Sequence, residues 1–287
     1  MEFVERCEIV RFATADGTLL HGLLFRPKRR TRNVIIHLHG IYGTFYRGAV
    51  ELGQEYARLG YNFMSIEQHG SYSLFGLRKK NGGRVMAGAA IERFEDSPRD
   101  VAGAITAARS IGMDRIYLEG TSSGAQKAAY YQYRTGDRRV RALILVSPMD
   151  DYNSWKHELG RSFRDTVRKA RRLAASDKLA LMEHKYGYIG ADRFLSVLDP
   201  ERIEARLFNY ERERLSELRR IRVPVFTAFG SMEHHNLMPV REYARIISEN
   251  CSNPRSSQAI IAGANHYYSD RERQLAEAVT GWLARFR

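Results

Sequence analysis

A serine between two glycines is the part of this sequence best suited to chemistry. Residues 120–124 read Gly-Thr-Ser-Ser-Gly and join the apolar run 116–118 to a helix-like run at 125–134. A serine in so tight a turn is forced into strained backbone geometry, and flanking glycines relieve the crowding because they have no Cβ atom. Only Ser122 has a glycine two residues away on both sides, so Ser122 rather than Ser123 is the predicted nucleophile.

A serine hydroxyl needs partners, because it barely ionises at neutral pH. A histidine within hydrogen-bond reach accepts its proton, and a carboxylate fixes the imidazole tautomer and stabilises the imidazolium. The oxyanion that forms needs preorganised N–H donors, and the loss of one typically costs about 3–4 kcal/mol of transition-state stabilisation. The backbone N–H of Ser123, at the start of the helix, is predicted to be one such donor.

The surrounding elements predict an α/β fold with a mostly parallel sheet. Strands and helices alternate along the chain, which implies right-handed crossovers between parallel strands. The predicted strands cover residues 7–13, 18–25, 33–38, 61–66, 115–119, 140–146, 223–229 and 257–261. The predicted helices cover residues 46–59, 98–111, 125–134 and 270–286. Residues 151–220 contain no convincing strand and are predicted to form a helical insertion after the sixth strand.

This arrangement resembles the α/β-hydrolase superfamily over nearly the whole chain, because the serine turn between strand and helix matches its nucleophile elbow. The resemblance implies a mostly parallel central sheet flanked by helices. It also implies a core of residues 1–150 and 221–287, with residues 151–220 as a helical lid over the sheet edge. Two segments, 118–131 and 142–151, are similar to the branch that includes fungal siderophore esterases.

The resemblance also implies the partners of Ser122. The Gly-Ala-Asn-His loop after the last strand looks like the catalytic-histidine loop of the family, which makes His266 the expected base. Glu233 follows the preceding strand, where the family usually has an aspartate, and is the expected acid. Asp150 and Asp151 follow the sixth strand, and part of the superfamily has its acid at that position. The sequence therefore leaves open whether Glu233 or one of these two aspartates is the acid.

The turn after the third strand, His-Gly-Ile-Tyr-Gly, carries a further signature of the family, its His-Gly pair. The resemblance implies that the N–H of Ile41 is the second oxyanion donor, beside that of Ser123. His39 and Tyr42 from this turn, and Trp155 from the insertion, are expected to contact the substrate.

The insertion carries aromatic and basic side chains. The aromatic candidates to line the pocket, most of them expected to pack inside the lid itself, are Trp155, Phe163, Tyr186, Tyr188, Phe194 and Phe208. A dense basic run consists of Arg161, Arg164, Arg168, Lys169, Arg171 and Arg172. Such a run is usually a solvated face, and the alternative is that it attracts a substrate with a carboxylate or a phosphate.

Composition excludes several classes of protein. A chain of 287 residues suits one large α/β domain with an inserted subdomain. The formal net charge of +13 is spread along the chain without a zinc-finger spacing or a basic arm, so we expect no nucleic-acid partner. The sequence shows neither a signal peptide nor an apolar run long enough for a membrane span. The two cysteines are expected to be reduced thiols of a cytoplasmic protein.

The sequence therefore predicts a serine hydrolase, with no cofactor and no metal, that cleaves small carboxylic esters through an acyl-enzyme. A dedicated siderophore-type esterase and a thioesterase or amidase are the enzymatic alternatives, since the same oxyanion chemistry serves all acyl transfer. A binding protein on a degenerate hydrolase fold is the alternative that is not an enzyme. The neighbours His234 and His235 do not predict a metal site, because adjacent histidines rarely chelate one ion. The sequence does not predict the oligomeric state.

Overall fold

A sheet of eight strands lies at the centre of the computed structural model, which describes residues 7–177, 179–184 and 187–286. Its strands are β1 (Glu8–Ala13), β2 (Leu19–Phe25), β3 (Asn33–Leu38), β4 (Asn62–Ile66), β7 (Arg115–Thr121), β8 (Val140–Val146), β11 (Val225–Gly230) and β12 (Ser257–Ile261). They are ordered β1-β2-β4-β3-β7-β8-β11-β12. All neighbours from β4 to β12 are parallel, and only β1 and β2 run antiparallel to theirs. The mostly parallel sheet predicted from the sequence is therefore confirmed.

Helices cover both faces of this sheet. They are α1 (Ala49–Arg58), α2 (Pro98–Ser110), α3 (Ser123–Thr135), α8 (Val240–Asn250) and α9 (Glu272–Leu283). Helices α2, α3 and α8 contribute to the apolar core on one face, and α1 and α9 to the core on the other. Strand β3 is buried along its whole length, and its residues alternate between the two cores, with Ile36 in one and Ile35 in the other. Apolar side chains on both faces are what a covered parallel strand requires.

The segment 151–220 contains helices and one hairpin. Its helices are α4 (Asp151–Leu159), α5 (Phe163–Ser176), α6 (Ala191–Leu198) and α7 (Ile203–Leu207). The expectation of no strand here is wrong, because β9 (Leu181–His184) pairs antiparallel with β10 (Gly187–Gly190). Met182 and Ile189 face each other across this hairpin and are buried in a small apolar core with helix residues of the segment.

A second hairpin lies in the glycine-rich loop after β4 and consists of β5 (Phe75–Arg78) and β6 (Arg84–Ala87). Two predictions from the sequence concern residues outside the described part of the chain. They are Tyr186 as an aromatic residue of the lid, and residues 1–6 as evidence against a signal peptide.

Cys7 and Cys251 are free thiols.

Among the described residues, the structure holds no helix with the length and apolar character that a membrane crossing needs.

Candidate active site

Ser122 lies in the turn between β7 and α3 and has a backbone φ of 56°, which residues other than glycine rarely adopt. Its N–H donates to the Val146 carbonyl oxygen at 2.9 Å, which ties the turn to the end of β8. A Cβ atom on Gly120 would overlap the Gly124 carbonyl group, and one on Gly124 would overlap the Leu38 carbonyl oxygen. Both flanking glycines are therefore needed for the close approach of backbone that creates this turn.

His266 and Glu233 form a hydrogen-bonded pair in the same region. Glu233 follows β11, His266 lies in the loop between β12 and α9, and His266 Nδ1 is 2.8 Å from Glu233 Oε2. An ionised carboxylate can only accept, so Nδ1–H donates and Nε2 is left as the basic nitrogen. Ser122 and His266 both line one cavity of about 1100 Å³. The structure thus brings the predicted nucleophile and base to the same cavity.

The Glu233 carboxylate is stabilised in its charged form. Burial raises its pKa, but hydrogen bonds from the His266 ring, the His235 N–H and the Ser147 side chain more than offset this, and the net pKa lies below the ordinary value. The Ser147 hydroxyl is also 3.2 Å from that of Tyr268, which places it within a buried polar group. A carboxylate that stays ionised suits the role of orienting an imidazole and stabilising its charged form.

The two alternative acids, Asp150 and Asp151, have other surroundings than Glu233. Asp150 caps α4, because its carboxylate accepts hydrogen bonds from the Asn153 N–H and side-chain amide and from the Tyr210 N–H, at 2.8–3.0 Å. Asp151 lines the cavity, and burial, with a smaller contribution from the charge of Glu204, raises its pKa to about 7. None of the described hydrogen bonds joins either aspartate to His266. The carboxylate that the structure brings to this histidine is Glu233.

The turn after β3 is held by a neutral histidine. His39 Nδ1–H donates to the Gly40 carbonyl at 2.8 Å, and its Nε2 accepts from the Ser71 hydroxyl at 2.7 Å. Burial lowers the pKa of His39 to about 3, so the ring is uncharged at neutral pH. His39 borders the cavity as expected, but both nitrogens are engaged within the protein. The two nitrogens of His39 thus fix the turn, and its expected contact with the substrate stays a prediction.

Ile41 and Ser123, whose backbone N–H groups are the predicted oxyanion donors, both lie close to Ser122. Ser123 is the first residue of α3, and the first four N–H groups of a helix have no partner within it. Ile41 follows Gly40, and a Cβ atom on Gly40 would lie 3.0 Å from Ser122 Cβ and 3.5 Å from its Oγ. The described hydrogen bonds include none donated by the Ile41 N–H. The turn therefore runs directly beside the Ser122 hydroxyl.

This proximity yields a prediction for Gly40→Ala. The new methyl group is expected to push the Ile41 N–H away from Ser122, and displacements of about 1 Å in catalytic groups can cost roughly 100-fold in rate. We expect kcat for an ester to fall by about 10- to 100-fold while the thermal midpoint changes little. Gly76→Ala, at an exposed glycine of β5 with open space around it, is a control for a backbone change outside the turn. An unchanged kcat in Gly40→Ala would contradict the assigned turn.

The insertion contributes part of the cavity wall through Ser154, Trp155 and His157. Trp155 stacks on the ring of His184 with centroids 4.2 Å apart. Of the other predicted aromatics, Phe163 and Phe194 pack in the core of the insertion, Phe208 packs in the main core, and Tyr188 is exposed. Tyr42, from the turn after β3, also borders the cavity, and its expected contact with the substrate stays a prediction.

The basic run of the insertion lies outside this cavity. Its six side chains are exposed, and none belongs to the described cavity lining. Arg161 and Arg164 border a separate cleft of about 620 Å³, and Arg168 pairs with Asp165 at 3.0 Å. The run is a solvated face, and the alternative, that it attracts anionic substrates to Ser122, has no support from the residues that line the cavity.

One group in the described structure has the composition of a metal site. The ligand atoms of Glu233, His234 and His235 lie within 4.8 Å of one another. Glu233 Oε2 accepts from His266 Nδ1 and Glu233 Oε1 accepts from the His235 N–H, so an ion here would share this carboxylate with both hydrogen bonds.

Sequence reasoning missed a buried carboxylate next to the elbow. Glu119 directly precedes Gly120 in β7 and is fully buried. It accepts from the Tyr56 hydroxyl and lies 2.8 Å from His37 Nδ1. The sequence signal for this group is a carboxylate that directly follows the apolar run 116–118, since a charged group within a buried strand needs partners.

A second missed group connects the elbow helix to the insertion. Lys127 of α3 lies 2.6 Å from Glu92, Glu92 lies 3.9 Å from Arg193 of α6, and Arg193 pairs with Glu204 of α7 at 2.8 Å. All four are buried. Burial raises the pKa of Glu92, but Lys127 and Arg193 more than offset this and lower it below the ordinary value. Removing one partner would leave an uncompensated buried charge, so this group fixes the insertion against α3.

Comparison with models of known protein families gives no match, and neither does comparison with curated protein sequences. Solved structures do match. Est1E from Butyrivibrio proteoclasticus with bound ferulic acid is 17% identical with a TM-score of 0.66, and the match covers 96% of this chain and 98% of that one. A monoglyceride lipase from Saccharomyces cerevisiae, in complex with a substrate analogue, is 12% identical with a TM-score of 0.67, covering 98% and 96%.

The alpha/beta hydrolase GrgF from Penicillium sp. sh18 is 16% identical with a TM-score of 0.66, and the match covers 98% of each chain. Near-complete coverage in both directions means that the likeness extends over almost the whole length of each chain. At these identities the likeness establishes the fold, and the chain therefore has the α/β-hydrolase fold.

Proposed function

We propose that the protein is a serine hydrolase that cleaves carboxylic esters of small molecules through an acyl-enzyme. The observation that carries this proposal is the joint placement of a strained serine turn and a histidine–carboxylate pair at one cavity. The similar solved structures described as esterases and as a monoglyceride lipase support an ester, in preference to other acyl compounds, as the substrate.

The proposed reaction begins when Ser122 Oγ attacks the ester carbonyl carbon and His266 Nε2 takes the hydroxyl proton. The N–H groups of Ile41 and Ser123 stabilise the oxyanion, and Glu233 stabilises the imidazolium. The C–O bond to the alcohol then breaks, and His266 returns the proton to the leaving oxygen. A water molecule, deprotonated by His266, attacks the acyl-enzyme, and its collapse releases the carboxylic acid and restores Ser122.

We assign the segment 151–220 as the lid of this site. Ser154, Trp155 and His157 border the cavity, and the buried pair of Arg193 and Glu204 joins the segment to the core through Glu92. A segment held in this way would shape the acyl or alcohol pocket without large movement.

We further propose a cytoplasmic location. The two cysteines are free thiols, as is usual in a reducing compartment.

A fluorophosphonate probe tests the proposed function directly, because it reacts with a serine that is activated by a neighbouring base. We expect one covalent adduct per chain, mapped to Ser122 by mass spectrometry, with concurrent loss of ester hydrolysis. Ser123→Ala is the matched control, since the Ser123 hydroxyl is buried without a described partner and only its backbone N–H is assigned a role. Folded protein whose Ser122 stays unlabelled would favour the alternative of a binding protein on this fold.

A further inference from the structure

The cavity that contains Ser122 is acidic, although the chain as a whole is basic. The formal net charge of the chain is +13. Apart from histidines, the basic and acidic side chains that line the cavity are those of one arginine and five acidic residues: Arg47, Glu51, Asp151, Glu158, Asp270 and Glu272. Of these acids, Asp151 is only partly ionised at neutral pH, because burial raises its pKa to about 7. A cleft lined by one sign of charge concentrates ligands of the other sign. The cavity therefore favours cations, against the trend of the remaining surface.

Three of these carboxylates come from one side of the cavity. Glu51 lies in the first turn of α1, Asp270 closely precedes α9, and Glu272 begins α9. Helices α1 and α9 pack against each other on the same face of the sheet. None of the three carboxylates takes part in an ion pair with another described residue. Their charges are therefore available to a bound ligand.

Aromatic side chains of the same cavity add a second attraction for a cation. Tyr267 is 71% exposed, borders the cavity and lies three residues before Asp270. Its ring centroid is 5.3 Å from that of His266, so this aromatic surface adjoins the assigned base. Trp155 borders the cavity from the insertion. Faces of Tyr and Trp attract organic cations, most strongly where water is partly excluded.

We propose that the ester substrate carries an organic cation, which lies between Glu51, Asp270 and Tyr267 while its ester carbonyl lies at Ser122. This inference rests on the proposed hydrolase function. The cavity is identified as a ligand site by the serine turn and the His266–Glu233 pair, independently of the carboxylates, and the carboxylates and Tyr267 then define what the ligand carries. The cation can belong to the alcohol or to the acyl part of the ester, and the experiment separates these cases.

The test compares esters that differ only in charge. The first pair is choline butyrate and the neutral ester in which a carbon atom replaces the ammonium nitrogen. The second pair makes the same replacement in a trimethylammonium group on the acyl chain of an ethyl ester. In low salt we expect kcat/KM to favour the cationic member of at least one pair by about tenfold, and the preference to shrink in about 1 M salt, where the Debye length is only about 3 Å.

The double variant Glu51→Gln with Asp270→Asn is expected to reduce this preference to about twofold or less. Asparagine tolerates the backbone φ of 61° at position 270, so the exchange removes charge with little change of shape. The matched control is Glu95→Gln with Glu201→Gln, which removes two exposed carboxylates outside the cavity and should leave the preference unchanged.

The failure of the inference and the failure of the proposed function have different signatures. Hydrolysis of p-nitrophenyl butyrate with no preference for the cationic member of either pair overturns the inference alone. A preference that survives in Glu51→Gln with Asp270→Asn also overturns it. Absence of hydrolysis with every ester, together with no fluorophosphonate adduct, overturns the proposed function and the inference with it.

Discussion

Ser122→Ala is expected to reduce kcat for a carboxylic ester by about 10⁶-fold, with the residual rate set by the oxyanion donors and by binding. In the proposed mechanism the Ser122 hydroxyl forms the covalent bond to the acyl group, so we expect no other residue of the cavity to replace it. The measurement is the steady-state turnover rate with p-nitrophenyl butyrate at saturating ester, together with the loss of the fluorophosphonate adduct.

The same variant should fold normally. Ser122 has its φ of 56° because of the turn, and alanine has the same Cβ atom, so the exchange adds no strain. We expect a thermal midpoint equal to or above that of the wild type, since strained catalytic positions are rarely optimal for stability. An unfolded Ser122→Ala variant would be inactive for a reason unrelated to catalysis. The thermal midpoint is measured to exclude this explanation.

His266→Ala supplies the second half of this prediction. When two residues act together in one step, the effects of their substitutions on the free energy of activation do not add. We therefore expect His266→Ala to lower kcat nearly as much as Ser122→Ala, and the double variant to lower it little more than either single variant. Multiplicative losses in the double variant would indicate two independent contributions. A wild-type rate in either single variant would remove the serine mechanism altogether.

The sequence predicted the elements that position the site because their patterns are local. Gly120 and Gly124 indicate the turn, since any Cβ atom there would overlap backbone. Apolar runs such as β3 indicate buried parallel strands. The order of strands and helices then brings Ser122, Glu233 and His266 to loops at the same edge of the sheet, because parallel strands share one carboxyl end.

The rest depends on contacts between distant segments. The hairpin of β9 and β10 has strands of four residues each, too short for a clear alternation, and is stabilised by packing of Met182 and Ile189 in the insertion. The partners of Lys127 come from two other parts of the chain. The acidic character of the cavity likewise arises from α1 and α9, which only the folded sheet brings together.

The sequence alone also does not distinguish Glu233 from Asp150 as the acid. Both carboxylates follow a strand of the sheet, at positions that the resemblance allows for an acid. The structure distinguishes them by their donors, because Glu233 accepts from His266, whereas Asp150 accepts from Asn153 and Tyr210. An isosteric amide at each position therefore has a different expected result.

Glu233→Gln is expected to lower kcat by about 10⁴-fold with little loss of stability. The glutamine side chain keeps the shape but has no charge, and its amide can donate to His266 Nδ1. That bond would place the imidazole proton on Nε2, the nitrogen that must accept from Ser122, and it would leave the imidazolium without a counter-charge. The measurement is kcat with p-nitrophenyl butyrate, beside the thermal midpoint.

Asp150→Asn is the matched comparison, and its expected effect is the reverse. An amide at position 150 still offers one oxygen atom to the Asn153 N–H, but its NH₂ group then meets the Tyr210 N–H or the Asn153 side-chain amide, and an unsatisfied buried donor costs about 1–3 kcal/mol. We expect a lower thermal midpoint with kcat within a few-fold of the wild type at a temperature where the variant is folded. If instead Asp150→Asn lost activity in a folded state while Glu233→Gln kept it, the aspartate at the end of β8 would be the acid, and the His266–Glu233 contact would be structural.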